Sequence, residues 1–297
     1  MDHVTAALAS LAPAGQTPPE AAEAAARRAG VVVRELSTAA DCHEATVLLA
    51  EVWRTQVTDS PVQANLLRAL QTSGGYAVGA SGGGVLVAAS VGFLARPRRD
   101  GPDELHSHIT GVRRGEQRRG LGRAVKLHQR AWALERGITS IGWTFDPLVR
   151  RNLVFNLVGL GAGLTGYLPD FYGDMSDGVN AGQGSDRVHA RWDLLASLPD
   201  ARPPRPEVPE PPVTLLLQPG ADGRPVAAPG RGADRVGVQV PADIESLRSS
   251  DPTGAAAWRT AVRAALGGAM ADGWTVDGAR PDGTYLLGRP GTGQETR

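Results

Sequence analysis

The chain has 297 residues, enough for one large domain or two smaller ones, and its apolar (41%) and charged (21%) fractions are those of an ordinary globular protein. A formal net charge of zero argues against nucleic acid or a membrane surface as the general partner, since both call for a basic field. One cysteine, Cys42, excludes an internal disulfide and fits a reducing, cytoplasmic setting, and no run of about 18 apolar residues marks a membrane span.

Residues 1–30 are rich in alanine, with Pro13, Pro18 and Pro19, and read as an extension, helical or loose. The opening MDHVTAALASLAPAGQ lacks the basic start of a secretory signal. Regular structure is expected from VVVREL (31–36), a β-branched run. The spacing of Val47, Leu48, Val52 and Trp53 predicts a helix over 38–55, in which Cys42 is a small buried side chain. A shorter helix follows Pro61, and GYAVGA, SGGG and VLVAASVGFLA read as a hairpin. Then come strand DELHSHITGV (103–112), helix RGLGRAVKLHQRAWALERG, strand ITSIGWTF (138–145), helix PLVRRNLVFNLVGLG (147–161) and strand RVHARWDLL (187–195). PDARPPRPEVPEPP (199–212) holds seven prolines and reads as a semi-rigid linker. Beyond it, VTLLLQ, DRVGVQVP and TYLLGR predict strands, and ADIESLRSSD and GAAAWRTAVRAALGGAMADGW predict helices. The class is mixed α/β with a partly antiparallel sheet. The domain limits are an extension over 1–30, a larger domain over 31–197, a linker over 198–212 and a small α+β unit over 213–297. A unit of about 85 residues is marginal alone, so it is expected to pack on the larger domain, shaping an acceptor site or a homodimer contact.

The stretch GVRRGEQRRGLGRAV (111–125) crowds arginine and glycine where a strand gives way to a helix. Glycines at 115, 120 and 122 let backbone N–H groups approach a ligand, and the helix start offers unpaired N–H groups and a positive dipole end. Arg118, Arg119 and Arg123 add charge-assisted contacts, which makes the stretch a phosphate cradle. It has neither the Gly-Lys-Ser/Thr of a Walker loop nor the Gly-x-Gly-x-x-Gly of a dinucleotide fold.

Gln117-Arg118-Arg119-Gly120-Leu121-Gly122 resembles the Q/R-x-x-G-x-G/A motif of the GNAT acyltransferase superfamily, with Val112 where that family ends its fourth strand. The resemblance covers a little over half the chain, from 31 to about 195. It implies a GNAT-type fold and acetyl-CoA or another acyl-CoA held by Val112, Arg114, Gln117, Arg118, Arg119, Gly120, Leu121, Gly122 and Arg123. Asn152 and GLGA (159–162) fit a second part of the pattern, which adds Asn152 and Asn156 to the cofactor set. Where members often carry a tyrosine that protonates the leaving thiolate, this chain has Leu157. The implied activity is transfer of an acyl group, acetyl or succinyl, to the amine of a small molecule such as an amino acid. The alternatives are hydrolysis or decarboxylation of an acyl thioester, or acyl-CoA binding without catalysis.

Glu104, His106 and His108 alternate on one strand and so share a face, where a carboxylate or imidazole could take a proton from an attacking ammonium. Glu104 and His108 are the candidate catalytic groups there. The His-x-His pair has no third ligand at metal spacing, so no metal is expected. The long segment 166–187 offers Tyr167, Tyr172, Asp174, Asp177, Asn180 and Asp186, and Tyr172 or Tyr167 is the candidate replacement for the missing acid. Arg150 and Arg151 are candidates for a substrate carboxylate, beside the commoner reading as solvated side chains.

Overall fold

The computed structural model describes residues 16–96, 102–175, 177–178, 184–199, 213–230 and 232–289. Asn180 and all but the first residue of the proline-rich stretch lie outside these. The chain is mixed α/β and divides into two compact units: residues 1–143 with 177–179 and 193–197, and residues 144–176 with 180–192 and 198–297.

In the first unit, α1 (Pro18–Ala29) begins in a Thr17–Glu20 capping box and ends at Gly30 in the left-handed conformation. β1 (Val32–Glu35) leads to α2 (Ala39–Trp53), capped by Thr38, and then α3 (Ala64–Thr72). Four strands run antiparallel in the order β1, β2 (Tyr76–Gly82), β3 (Val85–Ala95) and β4 (Glu104–Val112). Next come α4 (Leu121–Glu135) and β5 (Ser140–Phe145), whose last two residues belong to the second unit. The core on one side of the sheet gathers Leu36, Leu48, Leu49, Leu67, Ala89 and Val91, with Cys42 fully buried among them.

α4 is buried nearly all round, from Leu121 and Val125 to Trp132 and Leu134. A helix with one covered face would bury a single stripe, so α4 must have a second neighbour. That neighbour is α1, whose Ala22, Ala25 and Ala29 are buried and which packs along α4. The alanine-rich segment read as an extension is, from Pro18 on, a structural layer of the unit.

In the second unit, the expected 147–161 helix is one α-helical turn, α5 (Arg150–Leu153), followed by a π-helical stretch, Val154–Gly159. β6 (Gly163–Leu168) pairs antiparallel with β7 (Arg187–Asp193). The rest forms a five-stranded sheet in the order β11 (Thr275–Ala279), β12 (Thr284–Gly288), β10 (Arg235–Gln239), β8 (Thr214–Pro219), β9 (Pro225–Ala227). α6 (Ile244–Ser250) and α7 (Pro252–Val262), the latter extended by a π-turn over Arg263–Gly267, lie between β10 and β11 in sequence. Trp258 and Tyr285 are fully buried, and their polar ends are satisfied. Trp258 Nε1 donates to the Gly223 carbonyl at 3.0 Å, and the Tyr285 hydroxyl donates to the Pro147 carbonyl at 2.8 Å. No helix among the described residues is long and apolar enough to cross a membrane.

Candidate active site

The first unit supplies an interrupted strand and a loop. β4 and β5 are parallel, but their register covers only Leu105 with Ile141 and His106 with Gly142. From Ser107 onward β4 therefore carries backbone groups that the β5 ladder does not use. On its other side, Val91 faces Ile109 while Gly92 faces Ser107, so His108 is the extra residue of a β-bulge. The strict alternation expected along Glu104, His106 and His108 is broken at that point. Even so, the His106 and His108 rings are 6.1 Å apart, and both lie against Phe93. Glu104 Oε2 accepts from Ser140 Oγ at 3.2 Å. Solvent reaches the His108 ring, yet the protein around it lowers the imidazole pKa by desolvation, which favours the neutral, proton-accepting form.

Past Val112 the chain turns into the cradle. The Arg113 N–H donates to the Val87 carbonyl at 2.9 Å and the Glu116 N–H to the Arg113 carbonyl at 3.1 Å, closing a turn. Gly115, Arg118 and Gly120 all have positive φ (86°, 67° and 84°). For Arg118 this is a costly conformation, of the kind that clusters at ligand sites. Left-handed residues set among right-handed ones are the backbone pattern from which anion-binding nests are built. α4 then starts at Gly120 with no side-chain cap on its first-turn amides. A Cβ at Gly120 would meet nothing within 4 Å, so the space beside the helix start is open there.

Arg114, Gln117, Arg118 and Arg119 are exposed around the loop, Leu121 is buried, and Gly122 and Arg123 are half-buried. Arg119 pairs with Glu116. Burial, with the charge of Arg28 added, lowers the Arg123 pKa, as expected where guanidinia gather. These residues fit the pyrophosphate of an acyl-CoA: left-handed backbone, an uncapped helix start and surrounding guanidinia.

Behind this strand lies a group that spacing alone did not single out. Lys126 is buried between α4 and the sheet. Its ammonium donates to Ser107 Oγ at 2.8 Å and Gln129 Oε1 at 3.0 Å and lies 4.0 Å from the centre of the Trp143 ring. Burial pushes its pKa down to about 7. That it is the only lysine was the sole signal in the sequence.

The remaining candidates lie in the second unit, apart from Asp177, which belongs to the first. On α5 and its π-helical continuation Asn152 is half-buried and Asn156 buried, and Leu157 presents a buried hydrocarbon where the family pattern has its acid. Within the long segment 166–187, Tyr167 belongs to β6. Its hydroxyl donates to Asp186 Oδ2 at 2.6 Å, and its ring packs on Gly267. Burial, reinforced by Asp186, raises its pKa, so its proton is held. The Tyr172 hydroxyl is exposed and lies 3.2 Å from Thr144 Oγ1. Asp174 is exposed and Asp177 half-buried. Arg150 donates to the Pro281 carbonyl and Arg151 pairs with Glu245, so both carry structural contacts inside this unit.

No family model and no curated protein matches the chain. Among solved structures, the ribosomal-protein-S18-alanine N-acetyltransferase of Escherichia coli is similar at 14% identity and a TM-score of 0.44, over 56% of this chain and 96% of that one. The protein yncA of Salmonella typhimurium, described as an acetyltransferase and solved with its cofactor acetyl-CoA, is similar at 20% identity and a TM-score of 0.42, over 58% and 99%. An acetyltransferase of the GNAT family from Desulfovibrio desulfuricans is similar at 16% identity and a TM-score of 0.43, over 55% and 99%. Over rather more than half of its length, the chain is thus similar to acetyltransferases of the GNAT family.

Proposed function

We propose that this protein is an acyl-CoA-dependent N-acyltransferase acting on the amine of a small molecule. The observation that carries the reading is the Val112–Arg123 loop, with three left-handed residues ahead of an uncapped helix. Amides of this loop and the guanidinia of Arg114, Arg118, Arg119 and Arg123 hold the pyrophosphate, with Asn152 and Asn156 as further cofactor contacts. The acyl-CoA supplies an activated thioester carbonyl. His108, whose pKa is lowered by the desolvating protein around it, removes a proton from the acceptor ammonium, with Glu104 on the same strand as the second candidate base. The neutral amine nitrogen would then bond to the carbonyl carbon to give a tetrahedral oxyanion, whose collapse would break the carbon–sulfur bond while the nitrogen gives up its second proton to solvent. A backbone amide on the part of β4 that leaves the β5 ladder stabilises the oxyanion.

The departing thiolate, with a thiol pKa near 8.5, needs only modest help. Tyr172 is the preferred candidate to give a proton, because Tyr167 commits its own to Asp186. The 31–197 and 213–297 domain limits, a cytoplasmic location and a homodimer contact belong to the same proposal.

The test is thiol release from acetyl-CoA with and without pooled small amines. Release that requires amine supports transfer. Release without amine indicates hydrolysis, the rival that the missing tyrosine leaves open, and no release indicates binding alone.

A further inference from the structure

Lys126, the single lysine of the chain, is buried inside the first unit with neutral partners alone. Its ammonium donates to Ser107 Oγ of β4 at 2.8 Å and to Gln129 Oε1 of α4 at 3.0 Å. The centre of the Trp143 ring, on β5, lies 4.0 Å away and offers a face that attracts a cation. Burial is the one cause that lowers the lysine pKa, and no carboxylate among the described residues offsets it. The Gln129 side chain turns its oxygen to the ammonium, although its Nε2 is then buried with no partner among the described residues. The surroundings are thus arranged for a charged lysine, yet they lack its counter-charge. A buried ammonium facing only neutral groups costs stability, so its position calls for an anion that the folded chain does not provide.

The place on the sheet indicates which anion. Ser107 is the first β4 residue past the register with β5, and it precedes the His108 bulge. We propose that Lys126 is a positioning residue for acyl transfer: held against Ser107, its ammonium sets a positive charge behind the stretch of β4 on which the thioester oxyanion forms. Negative charge on that oxygen develops only as the amine attacks. A fixed charge in a water-poor setting therefore favours the transition state over the bound thioester. No proton leaves Lys126 in this role. The other titrating groups of β4 and α4 nearby are engaged elsewhere. His106 and His108 lie against Phe93, His128 meets the Tyr76 hydroxyl, and Arg130 donates to the Leu194 carbonyl.

This inference rests on the acyltransferase reading and adds to it a residue outside the cradle. The test uses the full chain. Because Lys126 is the only lysine, isotope-labelled lysine gives one side-chain signal, and NMR reads its titration directly. The signal should titrate at higher pH with acetyl-CoA bound than with CoA, which has the same phosphates but no thioester carbonyl. Amine-dependent thiol release by the parent and by Lys126→Met is then compared from pH 6 to pH 9. The variant should bind acetyl-CoA within about twofold of the parent, yet turn over about tenfold or more slowly at pH 6. That ratio should fall toward one through the pH at which the lysine titrates in the acetyl-CoA complex. Loss of a merely structural contact would lower the rate equally at every pH. Ser107→Ala keeps the ammonium and guards against misfolding of the first variant. It should move the lysine titration down by about one pH unit, because the charged form loses an acceptor. A ratio constant across the range, full turnover by Lys126→Met at pH 6, or a titration unmoved by both acetyl-CoA and Ser107→Ala overturns the proposal. If the parent releases no thiol with any amine, it is the acyltransferase reading that falls, and this inference with it.

Discussion

Lys126 shows how one side chain can set a pH dependence. Its pKa falls from about 10.4 in an unfolded chain to about 7 in the fold. Between those values the unfolded chain binds a proton that the folded one does not, so this residue lowers stability as pH drops from about 10 to 7. Lys126→Met fills a similar volume without the charge. The variant should therefore resist urea better than the parent at pH 7, and the difference should shrink by pH 10. An equal difference at both pH values would show that the ammonium stays charged, held by Ser107, Gln129 and Trp143. At this scale the sequence revealed residue types but not backbone state. The glycines of the cradle could be read directly, whereas the left-handed Arg118 could not, because a non-glycine residue at positive φ leaves no mark in the sequence. Nor could Tyr167 be set apart from Tyr172, since the Asp186 bond that holds its proton is made only by folding.

Among the elements, those with contrast between apolar and polar positions were legible. β4 lies at 104–112 where 103–112 was expected, and α4 begins within the predicted glycine–arginine run. β6 was not recognised as a strand because GLTGYL offers two glycines and no alternation. β9 has three residues, and β11 contains a glycine beside its own register break. α1 showed no apolar stripe because alanine buries itself with little signal. The joining of elements by buried charge is likewise invisible in sequence, since Asp146 lies 102 and 113 positions from Arg248 and Arg259. Burial alone would raise the Asp146 pKa, but the hydrogen bonds and charge of Arg259, with Arg248, bring it down to about 2. Its contribution to stability is therefore present above the ordinary carboxylate value and lost as pH falls from about 4 toward 2. Asp146→Asn leaves two buried guanidinia without their shared counter-charge. It should cost about 3–5 kcal/mol in the stability of the second unit, measured by urea unfolding. A change near zero would mean the arginines find other partners at no cost.

For the whole molecule, a net charge of zero conceals strong local fields: residues 113–123 hold five arginines and one glutamate. Global composition could exclude a generally basic surface, while the local run pointed to phosphate, and the two readings agree once the scale is named. The mixed α/β class was legible because the order of helices and strands is set by local patterns. The division into compact units depends instead on contacts between distant segments, and it runs through β5. The central claim is that the left-handed loop ahead of α4 cradles the pyrophosphate of an acyl-CoA, and calorimetry of the full chain with acetyl-CoA, comparing the parent with Gly120→Val, tests it most directly. A β-branched residue at φ 84° costs about 1–2 kcal/mol and turns the loop amides away from the ligand. The account predicts measurable binding by the parent and a loss of about tenfold or more in the variant, with the far-UV spectrum unchanged. Equal affinity in the two proteins, or no binding by the parent, would contradict it.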